Sequence, residues 1–129
     1  MPKKEVVSTE QAPAAIGPYS QATMSKDFVF TAGQIGIDPS TGKLVDGGVK
    51  AQTRQALKNL SAILSAAGSS TEHVLKTTVF LSDMRTYSEV NAIYAEFFSG
   101  ACPARSAVQV AALPLGASVE IEAIAVRES

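Results

Sequence analysis

Short apolar stretches alternate with polar turns along the chain, and the spacing of the apolar positions separates strands from helices. Residues 28–30 read Phe-Val-Phe, a combination of aromatic and β-branched side chains that is typical of a strand. Comparable patterns predict strands at residues 4–8, 19–25, 28–32, 74–81, 104–112 and 118–126. A turn is predicted at residues 38–42, because Pro39 presets its φ angle and Gly42 tolerates a positive one.

Two segments carry a helical period instead. Between residues 48 and 67 the apolar side chains recur at intervals of three and four residues, and Gly68 is expected to end this helix. A second helix is predicted to begin near Thr86, because Thr86 and Glu89 form a capping-box pattern. The apolar positions of that second helix are Tyr87, Val90, Tyr94, Phe97 and Phe98.

The predicted order of elements is β-β-β-α-β-α-β-β, which indicates an α+β fold with two helices on one face of a sheet. Residues 1–129 are expected to form a single domain, because a chain of this length fits one core. If the strands at 104–112 and 118–126 pair as a hairpin, Arg105 and Glu120 lie on the same sheet. Several strands are small or apolar on both faces, so we expect the uncovered face to pack against other copies of the chain.

Composition and charge narrow the function classes. The formal net charge is −1 and the basic residues are scattered, so strong capture of nucleic acid is not indicated. Cys102 is the single cysteine, which excludes an intrachain disulfide and a cysteine-based metal cluster and agrees with a reducing compartment. No stretch approaches the ~18 apolar residues of a membrane span. A cytoplasmic location is expected, with organelle targeting by a separately cleaved segment left open.

Two charged residues on predicted strands are candidates for substrate binding or catalysis. Arg105 shares a strand face with the small Ala107, which leaves a shaped space in which a guanidinium can bind a carboxylate in bidentate fashion. The alternative is an arginine at a strand end that reaches water or a backbone carbonyl. Glu120 shares a face with Glu122, and its pattern is equally compatible with a solvated strand end.

Three further positions are candidates for contact with a ligand. Asn91 lies at the edge of the apolar arc of the second helix, where an amide either joins the core or faces a ligand. Tyr19 follows a rigid Gly-Pro pair and is either held over a cleft or an ordinary half-buried tyrosine. Gly33 ends a strand and permits close approach of a ligand to the backbone, without the pattern of a phosphate loop. The single His73 is expected at the surface, and no set of metal ligands is visible.

Six segments that cover nearly the whole chain carry a recognisable combination of motifs. They are AAIGPYSQA (residues 14–22), TAGQIG (31–36), KTTVFL (76–81), VNAIY (90–94), PARS (103–106) and VEIEAIAV (119–126). Together, in this order and without large insertions, they closely resemble the Rid family, whose members are also called YjgF proteins or reactive intermediate/imine deaminases.

The resemblance implies a chorismate-mutase-like fold that assembles as a homotrimer with three clefts at the subunit interfaces. It also implies a 2-iminobutanoate/2-iminopropanoate deaminase, which needs no cofactor and hydrolyses 2-imino acids to 2-keto acids and ammonia. These imines form from enamines released by pyridoxal-phosphate enzymes such as threonine dehydratase. By motif position, Arg105 is expected to bind the substrate carboxylate and Glu120 to hold or activate the attacking water. The other expected substrate contacts are Tyr19 and Asn91 as lining side chains, and Gly33 and Ala107 through their backbone.

The chain departs from the family pattern at two positions. Many members have cysteine where this chain has Ala107, so a mechanism with a thiol at that position is not available here. Members also commonly have an aromatic residue where this chain has Cys102, which leaves the shape of the cleft and the preferred substrate side chain open.

The sequence is also compatible with two other classes of function. One is a single-stranded RNA endonuclease or translation inhibitor, which the slightly negative charge and the aromatic content of 6% disfavour. The other is a non-catalytic carboxylate sensor or chaperone-like trimer that uses the same cleft.

Overall fold

The two predicted helices and all six predicted strands form in the computed structural model, which describes residues 3–128. The six predicted strands make one mixed sheet, and two further short strands form a small hairpin. The strands are β1 (Glu5–Val7), β2 (Ala22–Ser25), β3 (Phe28–Thr31), β4 (Ile37–Asp38), β5 (Lys43–Leu44), β6 (Val74–Leu81), β7 (Ala104–Gln109) and β8 (Val119–Val126). The helices are α1 (Gly48–Ala66) and α2 (Tyr87–Phe97), and short 3₁₀ turns lie at Thr71–His73, Met84–Thr86 and Pro114–Gly116. The small hairpin β4–β5 encloses the predicted turn at residues 38–42.

The order of strands in the large sheet is β1-β2-β3-β8-β6-β7. Strands β6 and β7 are parallel because α2 connects them as a crossover, and every other neighbouring pair is antiparallel. The predicted hairpin between the last two strands is therefore wrong: β7 and β8 lie on opposite sides of β6. Their connection crosses the end of β6, where Val110 N donates to Leu81 O and Ser82 N donates to Ser118 O.

Both helix boundaries follow from local hydrogen bonding. Helix α1 ends in a Schellman motif: Gly68 has a φ of 78°, its N–H donates to Ser65 O, and Ser69 N donates to Leu64 O. Helix α2 begins after Thr86 as predicted, but the capping box does not form. The hydroxyl of Thr86 instead donates to Asp83 O, because a 3₁₀ turn that Asp83 caps leads directly into the helix. Within residues 3–128, no helix is both long and apolar enough to cross a membrane.

One face of the sheet is covered by the helices and the other is open. Alternate side chains of β8, starting with Val119 and Ile121, are buried against the helical layer, where α1 packs on β8 and β3. Leu57 and Leu60 of α1 are fully buried there, and each such side chain stabilises the fold by about 1.5–3 kcal/mol. The opposite face leaves aromatic and branched side chains exposed: Phe28 by 44%, Phe30 by 47% and Val108 by 42%.

Candidate functional site

The Glu120 carboxyl lies on the sheet face away from the helices, because its neighbours in β8 point into the core. It lies directly against the backbone of Gly33: a Cβ atom at position 33 would lie 2.5 Å from Glu120 Oε2 and 2.8 Å from its Cδ. Burial raises the pKa of Glu120, and the negative charge of Glu122 raises it further. A side chain at position 33 would therefore push the Glu120 carboxyl away from this position, and the carboxyl has an elevated proton affinity.

This carboxyl faces a cavity of about 660 Å³, which we call the carboxyl cavity. Its walls are mostly apolar, and Glu120 is the only acidic side chain among the described residues that line it. Its walls include Tyr19, Gly33, Ile35, Ile37 and Glu120. Tyr19 is half-exposed over the cavity, and its hydroxyl accepts a hydrogen bond of 3.4 Å from Ile16 N. The structure therefore brings Tyr19, Gly33 and Glu120 together.

Gln21 supports one wall of the carboxyl cavity, a role that was not predicted from the sequence. Its side chain is 4% exposed; Nε2 donates to Thr9 O and Pro13 O, and Oε1 accepts from Thr9 N. These bonds fix residues 9–13, and Pro13 lines the cavity. The signal in the sequence was weak, since a glutamine just before a strand is commonly solvated.

Arg105 lies on the opposite, helix-covered side of the sheet, at the edge strand β7. Its Nη2 donates to the Tyr87 hydroxyl at 2.7 Å, and its guanidinium lies 4.6 Å from the centre of the Tyr94 ring. Burial raises the pKa of Tyr94, while the hydrogen bond with Thr77 and the charge of Arg105 lower it by less. Among residues 3–128, Arg105 has no carboxylate within ion-pair distance, so the guanidinium is oriented but not neutralised.

The side chains near Arg105 include two more predicted site residues. Asn91 lies between Tyr87 and Tyr94 on one face of α2, and its buried Oδ1 finds no hydrogen-bond donor within the described part of the chain. Ala107 shares the strand face of Arg105 and packs on the core. We call this group, Tyr87, Asn91, Tyr94, Arg105 and Ala107, the arginine surface. The sequence pattern placed Tyr87 and Tyr94 only in the apolar arc, although a buried tyrosine such as Tyr94 needs a polar partner for its hydroxyl.

Two other residues that the sequence singled out are Cys102, which lies near Tyr94 of the arginine surface and raises its pKa slightly, and His73, which lies apart from both groups. Cys102 is exposed, and its Sγ lies 3.8 Å from Phe98 O. His73 is partly exposed at the start of β6; its Nδ1 lies 2.8 Å from Ser70 Oγ and 3.6 Å from Glu128 Oε1. Within residues 3–128 no cluster of three or more side chains suited to a metal ion is found.

The carboxyl cavity and the arginine surface do not meet within one chain. Arg105 is level with Thr77 in β6 and Ala123 in β8, and Glu120 is three residues further along β8. With ~4.8 Å between strands and ~3.3 Å per residue, the Cα atoms of Arg105 and Glu120 are about 14 Å apart, and their side chains leave opposite faces of the sheet. A small ligand cannot contact both side chains of the same chain.

The fold and these groups define a class of protein: an α+β chain with an open sheet face, a half-buried carboxyl on one side of the sheet and an oriented arginine on the other. The chain belongs to the Endoribonuclease L-PSP family, which it matches over residues 9–127 and which includes the Rid proteins.

Three known proteins illustrate the similarity. The chain is 56% identical to a 2-iminobutanoate/2-iminopropanoate deaminase of Mus musculus, over 96% of this chain and 92% of the mouse protein. It is 54% identical to Reactive Intermediate Deaminase A, chloroplastic, of Arabidopsis thaliana, over 95% of this chain and 66% of the plant protein. A crystal structure of TdcF from E. coli with bound serine superposes with a TM-score of 0.91 at 43% identity, over 96% of this chain and 99% of TdcF.

Proposed function

We propose that the chain is a 2-iminobutanoate/2-iminopropanoate deaminase. The observation that carries this proposal is the 56% identity, over 96% of the chain, to the mouse protein of that name. In the reaction a 2-imino acid and water give a 2-keto acid and ammonia. The imine carbon is already electrophilic, so the protein needs to fix the carboxylate, direct a water molecule and assist proton transfer.

We further propose that the active site forms between subunits of a homotrimer with a chorismate-mutase-like arrangement. The opposite positions of Arg105 and Glu120 support this, since only the arginine surface of one subunit against the carboxyl cavity of another brings both to one small substrate. The exposed Phe28, Phe30 and Val108 of the open sheet face supply apolar area for such an interface.

In the proposed site Arg105 binds the substrate carboxylate. Its guanidinium is held by the Tyr87 hydroxyl and the Tyr94 ring, which leaves other N–H groups for a bidentate contact. The serine bound in TdcF supports a ligand that carries a carboxylate. Asn91 lines the same cleft, where its unpaired Oδ1 can accept a hydrogen bond from the substrate. Ala107 and Gly33 contribute backbone contacts.

Glu120 is the proposed acid and base. Its carboxylate takes a proton from water as the water oxygen bonds to the imine carbon, and it passes that proton to the nitrogen, which gives a carbinolamine. The carboxylate then takes the hydroxyl proton and delivers it to the same nitrogen as the C–N bond breaks, which releases the 2-keto acid and ammonia. The raised pKa of Glu120 suits the first of these transfers, because a carboxylate with a higher pKa is a stronger base and accepts the proton of water more readily. Tyr19 covers the cavity beside it. No thiol takes part at position 107, where this chain has alanine.

We propose a cytoplasmic location for the chain. The chloroplastic relative from Arabidopsis makes an organelle a second possibility, and fractionation with an antibody to the native protein distinguishes the two.

The experiment that tests the activity generates 2-iminobutanoate in situ with threonine dehydratase and follows its disappearance with semicarbazide as the competing nucleophile. We expect the purified chain to accelerate keto-acid formation and to lower the initial rate of semicarbazone formation, because the keto acid reacts with semicarbazide more slowly than the imine does, while heat-denatured protein does neither. Equal rates with native and denatured protein would contradict the proposed function.

A second candidate is an endoribonuclease, which the description of the family favours. The net charge of −1 counts against it, because single-stranded RNA binding favours a basic groove. RNase activity that co-purifies with the chain and disappears in Glu120→Gln would support this candidate. A sensor or chaperone-like trimer would bind keto acids, or suppress aggregation of a client protein, without turnover.

A further inference from the structure

A stripe of amide side chains on α1 lies next to the carboxyl cavity and is not part of its lining. Gln52, Gln55 and Asn59 are spaced three and four residues apart, so they share one face of the helix. Asn59 is fully buried and Gln52 is 8% exposed. Amides at such positions are costly unless their hydrogen bonds are satisfied, so their partners identify what the stripe supports.

Asn59 supports the segment that contains Gly33. Its Nδ2 donates to Ile35 O at 3.2 Å and to Ile37 O at 2.8 Å, and its Oδ1 accepts from Gln55 Nε2 at 2.9 Å. Both donors of the amide and one lone pair of its oxygen are therefore used. Because the two carbonyls lie two residues apart, the amide fixes the path of the segment as well as its distance from α1.

Gln52 supports two segments at once. Its Oε1 accepts a hydrogen bond of 2.8 Å from Ser118 N, immediately before β8. Its backbone also touches Gly36 so closely that a Cβ at position 36 would lie 2.7 Å from the Gln52 Cα. Helix α1 thus holds both the segment at 33–37 and the start of β8, which carries Glu120.

These two segments meet at the carboxyl cavity. Gln34 and Ile121 exchange both backbone hydrogen bonds, at 2.8 and 3.0 Å, and the Glu120 carboxyl lies against Gly33. The position of the carboxyl therefore depends on two segments that the amide stripe ties to α1, in addition to the pairing of β8 with β3 and β6. We infer that Asn59 and Gln52 are positioning residues, which hold the Glu120 carboxyl against Gly33 without touching the substrate. This inference rests on the proposed function of Glu120.

The test compares three variants of the full chain. Asn59→Leu and Gln52→Met keep the side-chain size and remove the hydrogen bonds to the two segments. Thr53→Val is the matched control, because Thr53 is fully buried on the same helix but donates only to Val49 O of that helix. The direct readout is the pKa of Glu120, measured by NMR on protein with ¹³C-labelled glutamate carboxyls and assigned with Glu120→Gln. Glu122 on β8 and Tyr19 across the cavity are titrated alongside, since they are the ionisable neighbours.

We expect the pKa of Glu120 to fall toward its usual value in Asn59→Leu and Gln52→Met, because a loosened wall admits water to the carboxyl. In the deaminase assay kcat should fall about tenfold with KM changed less than about twofold. A displaced catalytic group slows the chemical step but leaves the contacts that bind the substrate in place. Thr53→Val should lower the melting temperature and leave the pKa and kcat unchanged.

An unshifted pKa of Glu120 in folded Gln52→Met would overturn the inference. If Asn59→Leu does not fold, the pKa of Glu120 in Gln52→Met alone decides whether the inference holds. An equal fall of the pKa in Thr53→Val would also overturn it, because general loosening of the fold would then suffice. If the wild-type chain has no deaminase activity, the proposed function fails, and the pKa comparison alone decides this inference.

Discussion

Replacement of Arg105 by alanine is expected to remove most of the deaminase activity and leave the fold intact. In the structure the guanidinium is fixed by a hydrogen bond of 2.7 Å to the Tyr87 hydroxyl and by the Tyr94 ring at 4.6 Å. A bidentate contact with the substrate carboxylate adds two charge-assisted hydrogen bonds of about 1.5–3 kcal/mol each. Because the edge strand leaves the contact partly hydrated, we expect a net loss of about 3–4 kcal/mol, or roughly 10²–10³-fold in kcat/KM.

The assay measures kcat/KM with 2-iminobutanoate generated by threonine dehydratase in the presence of semicarbazide. Arg105→Lys keeps the positive charge without the planar fork, so its activity should be intermediate. Arg54→Ala is the matched control, because Arg54 forms a surface ion pair of 3.0 Å with Glu96 and should leave the activity unchanged. An Arg105→Ala protein that is folded and active within twofold of the wild type would refute the proposed role of Arg105.

Three further predictions concern the carboxyl cavity and the open sheet face. Gly33→Ala should lower kcat/KM by at least about tenfold, because the new Cβ would displace the Glu120 carboxyl; normal kinetics would show that the contact is unimportant. Glu120→Gln should raise the melting temperature at pH 7, where burial of a charged carboxylate costs stability. The gain should vanish below the pKa of an unfolded glutamate, where both states hold a neutral carboxyl; destabilisation at pH 7 would contradict this sign. Phe30→Asp should give a smaller species by light scattering, and Met84→Asp, which lies off the sheet face, should not; an unchanged Phe30→Asp assembly would place the interface elsewhere.

Most helices and strands were predictable because they are long enough for the spacing of their apolar residues to be recognised. The alternation over residues 119–126 predicted both the strand and the two faces on which Glu120 and Ile121 lie. The apolar positions of α1 predicted which face of that helix is buried. Strands β4 and β5 have two residues each, and no period can be recognised over so short a length.

The relation between Arg105 and Glu120 was not predictable from the pattern. Proximity along the chain suggested a hairpin of β7 and β8, but α2 returns β7 to the outer edge of β6, and only the pairing of whole strands decides this order. The partners of Arg105 were missed for a similar reason. The helical spacing places Tyr87 and Tyr94 on the apolar side of α2. It does not show which strand residues their side chains contact, which are Arg105 for Tyr87 and Thr77 for Tyr94.

The central claim is that one active site uses Arg105 of one subunit and Glu120 of another, and mixing two inactive variants tests it most directly. Arg105→Ala and Glu120→Gln chains are unfolded together in equal amounts, refolded and assayed as a mixture. If the site is shared in a cyclic trimer, about a quarter of the sites receive both intact residues, so the mixture should recover about a quarter of the wild-type activity. A mixture that assembles into trimers but stays as inactive as its two components would contradict the claim.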